Sequence, residues 1–108
     1  MDSQQLLDRL ERMKDAIPVY AKAKADRVHI EQYRKSLKAI LMQKSPETTQ
    51  AGKESWAYSQ SEYTDLLQGL REAVEIEEKH KWALDRVKME IEVWRTINAN
   101  ERAMRSNV

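Results

Sequence analysis

The sequence has no cysteine, no phenylalanine, two glycines and two prolines among its 108 residues. The absence of cysteine excludes a disulfide framework and metal sites built on thiolates, and two histidines are too few for a metal site made of histidine alone. The chain has no glycine-rich loop of the kind that cradles phosphates, and no apolar run long enough to cross a membrane. We therefore expect a cytoplasmic protein without a cofactor, neither secreted nor membrane-spanning.

An excess of charge of one sign is also missing. Lysine and arginine number 19 against 18 acidic residues, which gives a formal net charge of +1. Charged residues nevertheless make up 34% of the chain, a fraction typical of an elongated helical protein with much surface for its volume. Net charge therefore selects no partner, and with 6% aromatic residues the core is expected to be aliphatic.

What the sequence does contain is one long segment of helical character. From Ser61 to about Met104 there is no proline and one glycine, and apolar residues recur at heptad spacing. This segment predicts a single helix about 65 Å long. A helix of that length outruns any compact core of 108 residues, so it should pack along a second long helix or a second chain.

The whole chain predicts one all-α domain of three to four helices, dominated by a long antiparallel hairpin and assembled into a coiled-coil-like oligomer. The predicted helices cover about residues 3–17, 19–43, 46–58 and 61–104. The apolar faces predicted for the first two helices consist of Leu6, Leu10, Met13 and Ile17, and of Ile30, Tyr33, Leu37 and Ile40.

The predicted helix ends follow from residues that satisfy or lack backbone hydrogen bonds. Asp2 and Gln5 form a capping box before the first helix. Pro18 lacks an amide hydrogen and should stop or kink that helix. Residues 45–47, Ser-Pro-Glu, have the usual order for starting a third helix, and residues 59–62 resemble a second capping box that opens the last one.

The last helix carries a heptad seam with a polar interruption. Its a positions include Tyr63, Leu70, Leu84 and Ile91, and its d positions include Leu66, Ala73, Val87 and Trp94. Glu77 and His80 interrupt this seam, and the hairpin register places Asp26 opposite Glu77. The C-terminal half of the seam needs cover from the first helix or from another subunit, and we favour a homo-oligomer. The predicted interface residues are Leu84, Val87, Ile91, Trp94, Trp82 and Trp56.

Two tryptophans lie outside this seam. Trp82 falls at heptad position f, and Trp56 belongs to the short third helix. One interpretation packs Trp82 under the first helix and uses Trp56 to close the end of the hairpin. The other makes one of them an exposed anchor for a partner protein.

Two motifs of the form acid-x-x-His suggest a carboxylate-bridged metal site. Glu77 and His80 share one helical face, and Asp26 and His29 have the same spacing. The alternative is a polar layer of Glu77, His80 and Asp26 that fixes the helix register, as a polar a position does in coiled coils.

A row of cations follows the last helix at every seventh residue: Lys81, Lys88, Arg95 and Arg102. Acidic residues lie three positions before the first three of them, which predicts a solvated ion-pair face. The uncompensated cations are the candidates for contact with nucleic acid. They are Arg34, Lys35, Lys38, Arg102 and Arg105.

Six stretches of the chain resemble small helical proteins encoded by tailed bacteriophages. They are DRV at 26–28, YRKSLKAILM at 33–42, ESWAY at 54–58, EY at 62–63, IEVWR at 91–95 and NANERA at 98–103. The resemblance implies an accessory role in phage recombination or interference with host nucleases, and it transfers no catalytic residue.

The leading hypothesis is therefore a non-enzymatic module that binds itself and a host or phage DNA-processing protein in the bacterial cytoplasm. Direct binding of nucleic acid and a metal-binding helical bundle are the alternatives. No serine stands beside a histidine at a recognisable catalytic spacing, and a rod of helices offers no concave pocket of the usual kind. We expect no enzymatic activity.

Overall fold

The computed structural model describes residues 2–106, and almost all of them lie in three α-helices. α1 spans Ser3–Lys44, α2 spans Gln50–Tyr58 and α3 spans Ser61–Ser106. No residue between 2 and 106 belongs to a β-strand. The predicted all-α class is confirmed, and the last predicted helix is a single helix as expected. The first two predicted helices form one continuous helix, α1.

Pro18 lies inside α1 and does not end it, so of the two outcomes predicted for Pro18, a stop or a kink, the stop is wrong. The proline ring fixes φ near a helical value, so the cost is one missing hydrogen bond to the carbonyl of Lys14 and some crowding against that carbonyl. Pro18 is exposed, so water can satisfy the carbonyl. Partly buried Met13 precedes it and buried Ala23 follows it. Packing on both sides therefore holds the helix together across the proline.

The start of α1 is capped as predicted. The backbone N–H of Gln5 donates to Oδ1 of Asp2 at 2.8 Å, and the backbone N–H of Asp2 donates to Oε1 of Gln5 at 2.9 Å. These reciprocal bonds satisfy two donors that the first turn of a helix otherwise leaves without partners.

The last helix begins at Ser61 as predicted, but the predicted start of the third helix and the predicted cap of the last one are wrong. The hydroxyl of Ser45 accepts from the N–H of Glu47 at 3.1 Å, which makes a local turn, and α2 begins only after Thr49, whose hydroxyl accepts from the N–H of Gly52 at 3.0 Å. At the far end of α2, the hydroxyl of Ser59 donates to the carbonyl of Trp56 at 2.7 Å. Ser59 therefore closes α2, and it does not cap α3.

The chain divides into two compact units. The α2 unit is formed by residues Lys22–Glu77, and the terminal unit combines the residues up to Ala21 with those from Glu78 onward. In the α2 unit, α1 and α3 run antiparallel and are connected through α2. Its core consists of Leu37 and Leu41 from α1, Ala57 from α2 and Tyr63 from α3, with Met42, Trp56 and Leu66 packed against it.

The terminal unit pairs the first part of α1 with the last part of α3. Its most buried side chains are Leu84 and Val87 of α3. The guanidinium of Arg9 on α1 reaches the carboxylate of Glu90 on α3 at 2.8 Å, and Arg12 reaches the same carboxylate at 3.2 Å. These two ion pairs connect the helices at the edge of the apolar seam.

The heptad seam of α3 is confirmed, whereas the apolar face predicted for α1 is partly wrong. All predicted a and d positions of α3 from Tyr63 to Asn98 are buried or partly buried. On α1, however, Leu10, Ile17, Tyr33 and Ile40 are exposed. The inward positions of α1 follow their own heptad frame, in which alanines and arginines alternate with larger apolar residues. They are Leu6, Arg9, Met13, Ala16, Tyr20, Ala23, Arg27, Ile30, Leu37 and Leu41.

Candidate interaction surface

A second row of apolar side chains lies on α3, outside the heptad seam, within the terminal unit. These side chains are exposed by 61%, 57%, 57%, 52% and 70%, in the order Trp82, Met89, Val93, Ile97 and Met104. At 100° per residue they fall within an arc of about 80° on the helix surface. We call these five residues the outer stripe. Large apolar residues scattered singly are ordinary on a surface, but five of them on one face of a helix indicate a binding surface.

An apolar groove runs beside the outer stripe. It has a volume of about 460 Å³, and its apolar wall is formed by Met89, Val93 and Ile97 of the stripe together with Trp94. Trp94 is partly buried, so its ring forms the junction between the inner seam and the groove. The outer stripe therefore offers a partner side chain a cleft to enter as well as a ridge to cover.

Charged groups form the polar rim of the groove. Glu90 receives Arg9 from α1 and Arg86 from its own helix, whose Nε lies 3.4 Å from the carboxylate. Partial burial disfavours the ionised form of Glu90, but the hydrogen bond from Arg9 and the charges of Arg9, Arg12 and Arg86 outweigh that effect. The pKa of Glu90 consequently lies below its usual value. The rim thus remains ionised while the groove itself is apolar.

The predicted interface residues of the inner seam are not available to another chain in this structure. Leu84 is 5% exposed and Val87 is buried, and Ile91 and Trp94 are partly buried. The reason is that α1 continues through Pro18 and does not leave this part of α3 bare. The seam therefore gives no support for a second subunit. Of the six predicted interface residues, Trp82 is the one whose side chain is largely exposed.

Trp56 is placed as the packing interpretation proposed. It is partly buried and packs against the core of the α2 unit, where its carbonyl accepts the side-chain amide of Gln60 at 2.9 Å. Trp56 therefore stabilises the turn between α2 and α3. Trp82, by contrast, is not covered by α1, so the interpretation that packs Trp82 under the first helix is wrong.

The predicted cationic cluster of α1 lies beside two tyrosines in the α2 unit. Arg34, Lys35 and Lys38 line a groove of about 350 Å³ together with Tyr58 and Tyr63. The ammonium group of Lys38 lies 2.7 Å from the carboxylate of Glu54 and 5.1 Å from the centre of the Tyr58 ring. The hydrogen bond from Lys38 to Glu54, with a further contribution from Tyr58, raises the pKa of Lys38. The positive charge of Lys38 is therefore largely neutralised by Glu54.

The other predicted cations lie on the protein surface. Arg34 and Lys35 are exposed, as are Arg102 and Arg105 near the end of α3. In the predicted ion-pair face, Arg95 pairs with Glu92 at 2.8 Å.

A polar layer forms at Glu77 as predicted, but Arg27 and not Asp26 faces it from α1. Glu77 is 7% exposed and accepts two hydrogen bonds from Arg27, at 2.6 Å from Nε and 3.0 Å from the second terminal nitrogen. Arg27 also donates to Glu31 at 2.9 Å. The hydrogen bonds to Glu77 and Glu31 raise the pKa of Arg27, and the guanidinium stays charged. The predicted register was one residue out, because Arg27 takes the place expected for Asp26.

The candidate metal ligands do not gather around a cation site. Across residues 2–106, no group of three or more histidine, aspartate or glutamate side chains is placed to hold a metal ion. Asp26 pairs with Lys22 of its own helix at 2.9 Å, and His29 is exposed. His80 is partly buried. Since the guanidinium of Arg27 occupies two acceptor positions of Glu77, this carboxylate is committed to an ion pair.

Comparison with known proteins gives no relative from which a function of the outer stripe could be inferred. No protein-family model, curated protein or solved structure matches this chain. The resemblance to phage proteins therefore stays a prediction. None of the helices over residues 2–106 is long and apolar enough to cross a membrane.

Sequence reasoning missed four members of the outer stripe. Trp82 was recognised because of its size and its f position, but Met89, Val93, Ile97 and Met104 were assigned to no surface. A helical stripe displaced from the a/d seam was visible in their spacing of four or seven residues. The stripe was not recognised because the a/d heptad pattern is the stronger signal.

Proposed function

We propose that this protein is a non-enzymatic protein–protein interaction module and that the outer stripe of α3 is its binding surface. The observation that carries this proposal is that five large apolar side chains in one row are each more than half exposed. Water contact with such a row is unfavourable, and covering it contributes binding free energy in proportion to the apolar area removed from water.

The shape of the surface favours a helical partner. The outer stripe extends for about 33 Å along α3 and has an apolar groove along one side, which suits an amphipathic helix laid lengthwise. Trp82 has the residue type most often found as an energetic anchor in interfaces. The resemblance to phage accessory proteins suggests a partner among DNA-processing proteins, and that part of the proposal depends on the resemblance alone.

A charge placed in the middle of the outer stripe tests this function. Val93→Glu should abolish capture of protein partners, among them a second, tagged copy of this chain, from a bacterial lysate by the immobilised full chain, because a carboxylate would have to be desolvated in the interface. Val74→Glu is the matched control, since it makes the same change at another exposed valine of α3. Equal capture by the wild-type chain and both variants would contradict the proposal.

Direct binding of nucleic acid is a second candidate function, favoured by the groove in which exposed Arg34 and Lys35 adjoin Tyr58 and Tyr63. Cations next to aromatic rings suit a phosphate backbone and stacked bases. The expected result is that labelled single-stranded DNA binds with an affinity that falls steeply with salt, and that Arg34→Ala with Lys35→Ala reduces this slope. Salt-independent binding, or none, would remove this candidate.

A further inference from the structure

The outer stripe has an internal symmetry that indicates its partner. Met89 and Ile97 lie four residues on either side of Val93, and Trp82 and Met104 lie eleven residues on either side. The row therefore has the same spacing of large apolar residues when read in either direction along α3. A surface with this property is complementary to itself when two copies run antiparallel.

From this symmetry we propose that the outer stripe binds the outer stripe of a second copy of this chain, with the two α3 helices antiparallel and a two-fold axis at Val93. The inference rests on the proposed function and names the partner of the same surface. In this arrangement Met89 meets Ile97 and Trp82 meets Met104 across the axis. Every large apolar side chain of the stripe is thereby covered by another one.

The charges distinguish the antiparallel arrangement from the parallel one. Arg86 and Asn100 interrupt the stripe seven residues on either side of Val93, and Glu101 follows Asn100. In the antiparallel pair, Arg86 of one copy faces Asn100 and adjoins Glu101 of the other. A parallel pair would place the two Arg86 guanidinium groups opposite each other, and facing like charges oppose association.

The groove beside the stripe lies at the level of the proposed axis. Its apolar wall includes Val93 and Ile97, and so the side chains from the centre of the second copy's stripe meet it directly. The two-fold axis creates two such grooves, one on each copy. Both ends of the pair then repeat the same contact of Trp82 with Met104, which makes the interface closed and limits assembly to two chains.

Single-cysteine cross-linking tests the register, because the natural chain has no cysteine. Val93→Cys should form a disulfide-linked dimer on mild oxidation, since residue 93 meets itself at the axis. Met89→Cys and Ile97→Cys should cross-link when the two variants are mixed, and each far less alone. Lys88→Cys, exposed on another face of α3, is the matched control and should stay uncross-linked.

Light scattering after size exclusion, over a range of concentrations, tests the association itself. The wild-type chain and Val74→Glu should be dimers, and Val93→Glu should raise the dissociation constant at least about 30-fold, as expected for a central interface side chain. Circular dichroism should show the same helix content in all three. A wild-type monomer at every concentration, or a dimer that cross-links through Lys88→Cys and not Val93→Cys, would overturn the inference.

The same variants separate this inference from the proposed function. If the wild-type chain is a monomer and Val93→Glu still abolishes capture of a lysate protein, self-association is wrong and the binding function stands. If the chain is a monomer and capture is unaffected, both are wrong.

Discussion

Two neighbouring residues of α1, Leu41 and Ile40, provide the sharpest test of the fold. Leu41 is 2% exposed in the core of the α2 unit, whereas Ile40 is 41% exposed. The sequence alone predicted Ile40 as part of the apolar face. Truncation of each side chain to alanine removes three carbon atoms in both cases, so apart from a small difference in helix propensity the difference in stability reports on position.

The expected losses differ severalfold. Leu41→Ala removes about 2.4 kcal/mol of transfer free energy, at about 0.8 kcal/mol for each buried carbon, and the cavity left behind adds to it, which gives about 3–4 kcal/mol in total. Ile40→Ala loses roughly half as much burial, leaves no enclosed cavity and gains a few tenths of a kcal/mol in helix propensity. Its net cost should be about 1 kcal/mol or less.

Urea denaturation followed by circular dichroism measures both losses. The midpoint of Leu41→Ala should fall well below that of the wild-type chain, with an unchanged dependence on denaturant, and the midpoint of Ile40→Ala should stay close to it. Equal losses, or a larger loss for Ile40→Ala, would contradict the placement of Leu41 on the buried face of α1 and of Ile40 on the exposed one.

Three further predictions address the charges and the proline. Arg27→Met should lower the urea midpoint because it removes two hydrogen bonds to buried Glu77. Adding Glu77→Leu should restore much of the loss, since the buried carboxylate is then removed as well. A double variant as unstable as Arg27→Met alone would refute this. The lowered pKa of Glu90 means that its stabilising contribution is present above its ordinary value of 4.5 and is lost as the pH falls through the lower folded value. Glu90→Gln should accordingly flatten the acid side of a plot of the urea midpoint against pH, and an unchanged slope would count against the ion pairs of Glu90. Pro18→Ala should raise the free energy of unfolding by roughly 1–3 kcal/mol, because it restores a helical hydrogen bond, and a destabilised variant would show that α1 needs the proline.

The local features that sequence patterns predicted well are those decided by neighbours along the chain. The capping box of Asp2 and Gln5 formed as predicted because its hydrogen bonds reach three residues. The predicted start of α2 and the predicted cap of α3 failed for an equally local reason. Ser45 and Ser59 have hydroxyls that can bond to several nearby backbone groups, and the pattern does not say which one they take.

The candidate surface was harder to predict because exposure depends on distant residues. Trp82, at heptad position f, had two interpretations, packed under α1 or exposed, and only the structure shows that it is 61% exposed. Inward positions of α1 occupied by Arg9, Ala23 and Arg27 carry little hydrophobic signal. Their partners, Glu90 and Glu77 among them, come from α3 and lie fifty or more residues away.

The sequence by itself determined the all-α class, the continuous α3 and the heptad seam along it, because helix propensity and apolar spacing act within a few residues. Only the tertiary structure decided that α1 continues through Pro18, that Arg27 and not Asp26 faces Glu77, and that Leu84 is covered within the chain. These outcomes depend on packing between segments far apart in sequence, where the free energy gained by covering α3 exceeds the local cost of one proline. The outer stripe stays exposed because α1 covers another face of α3.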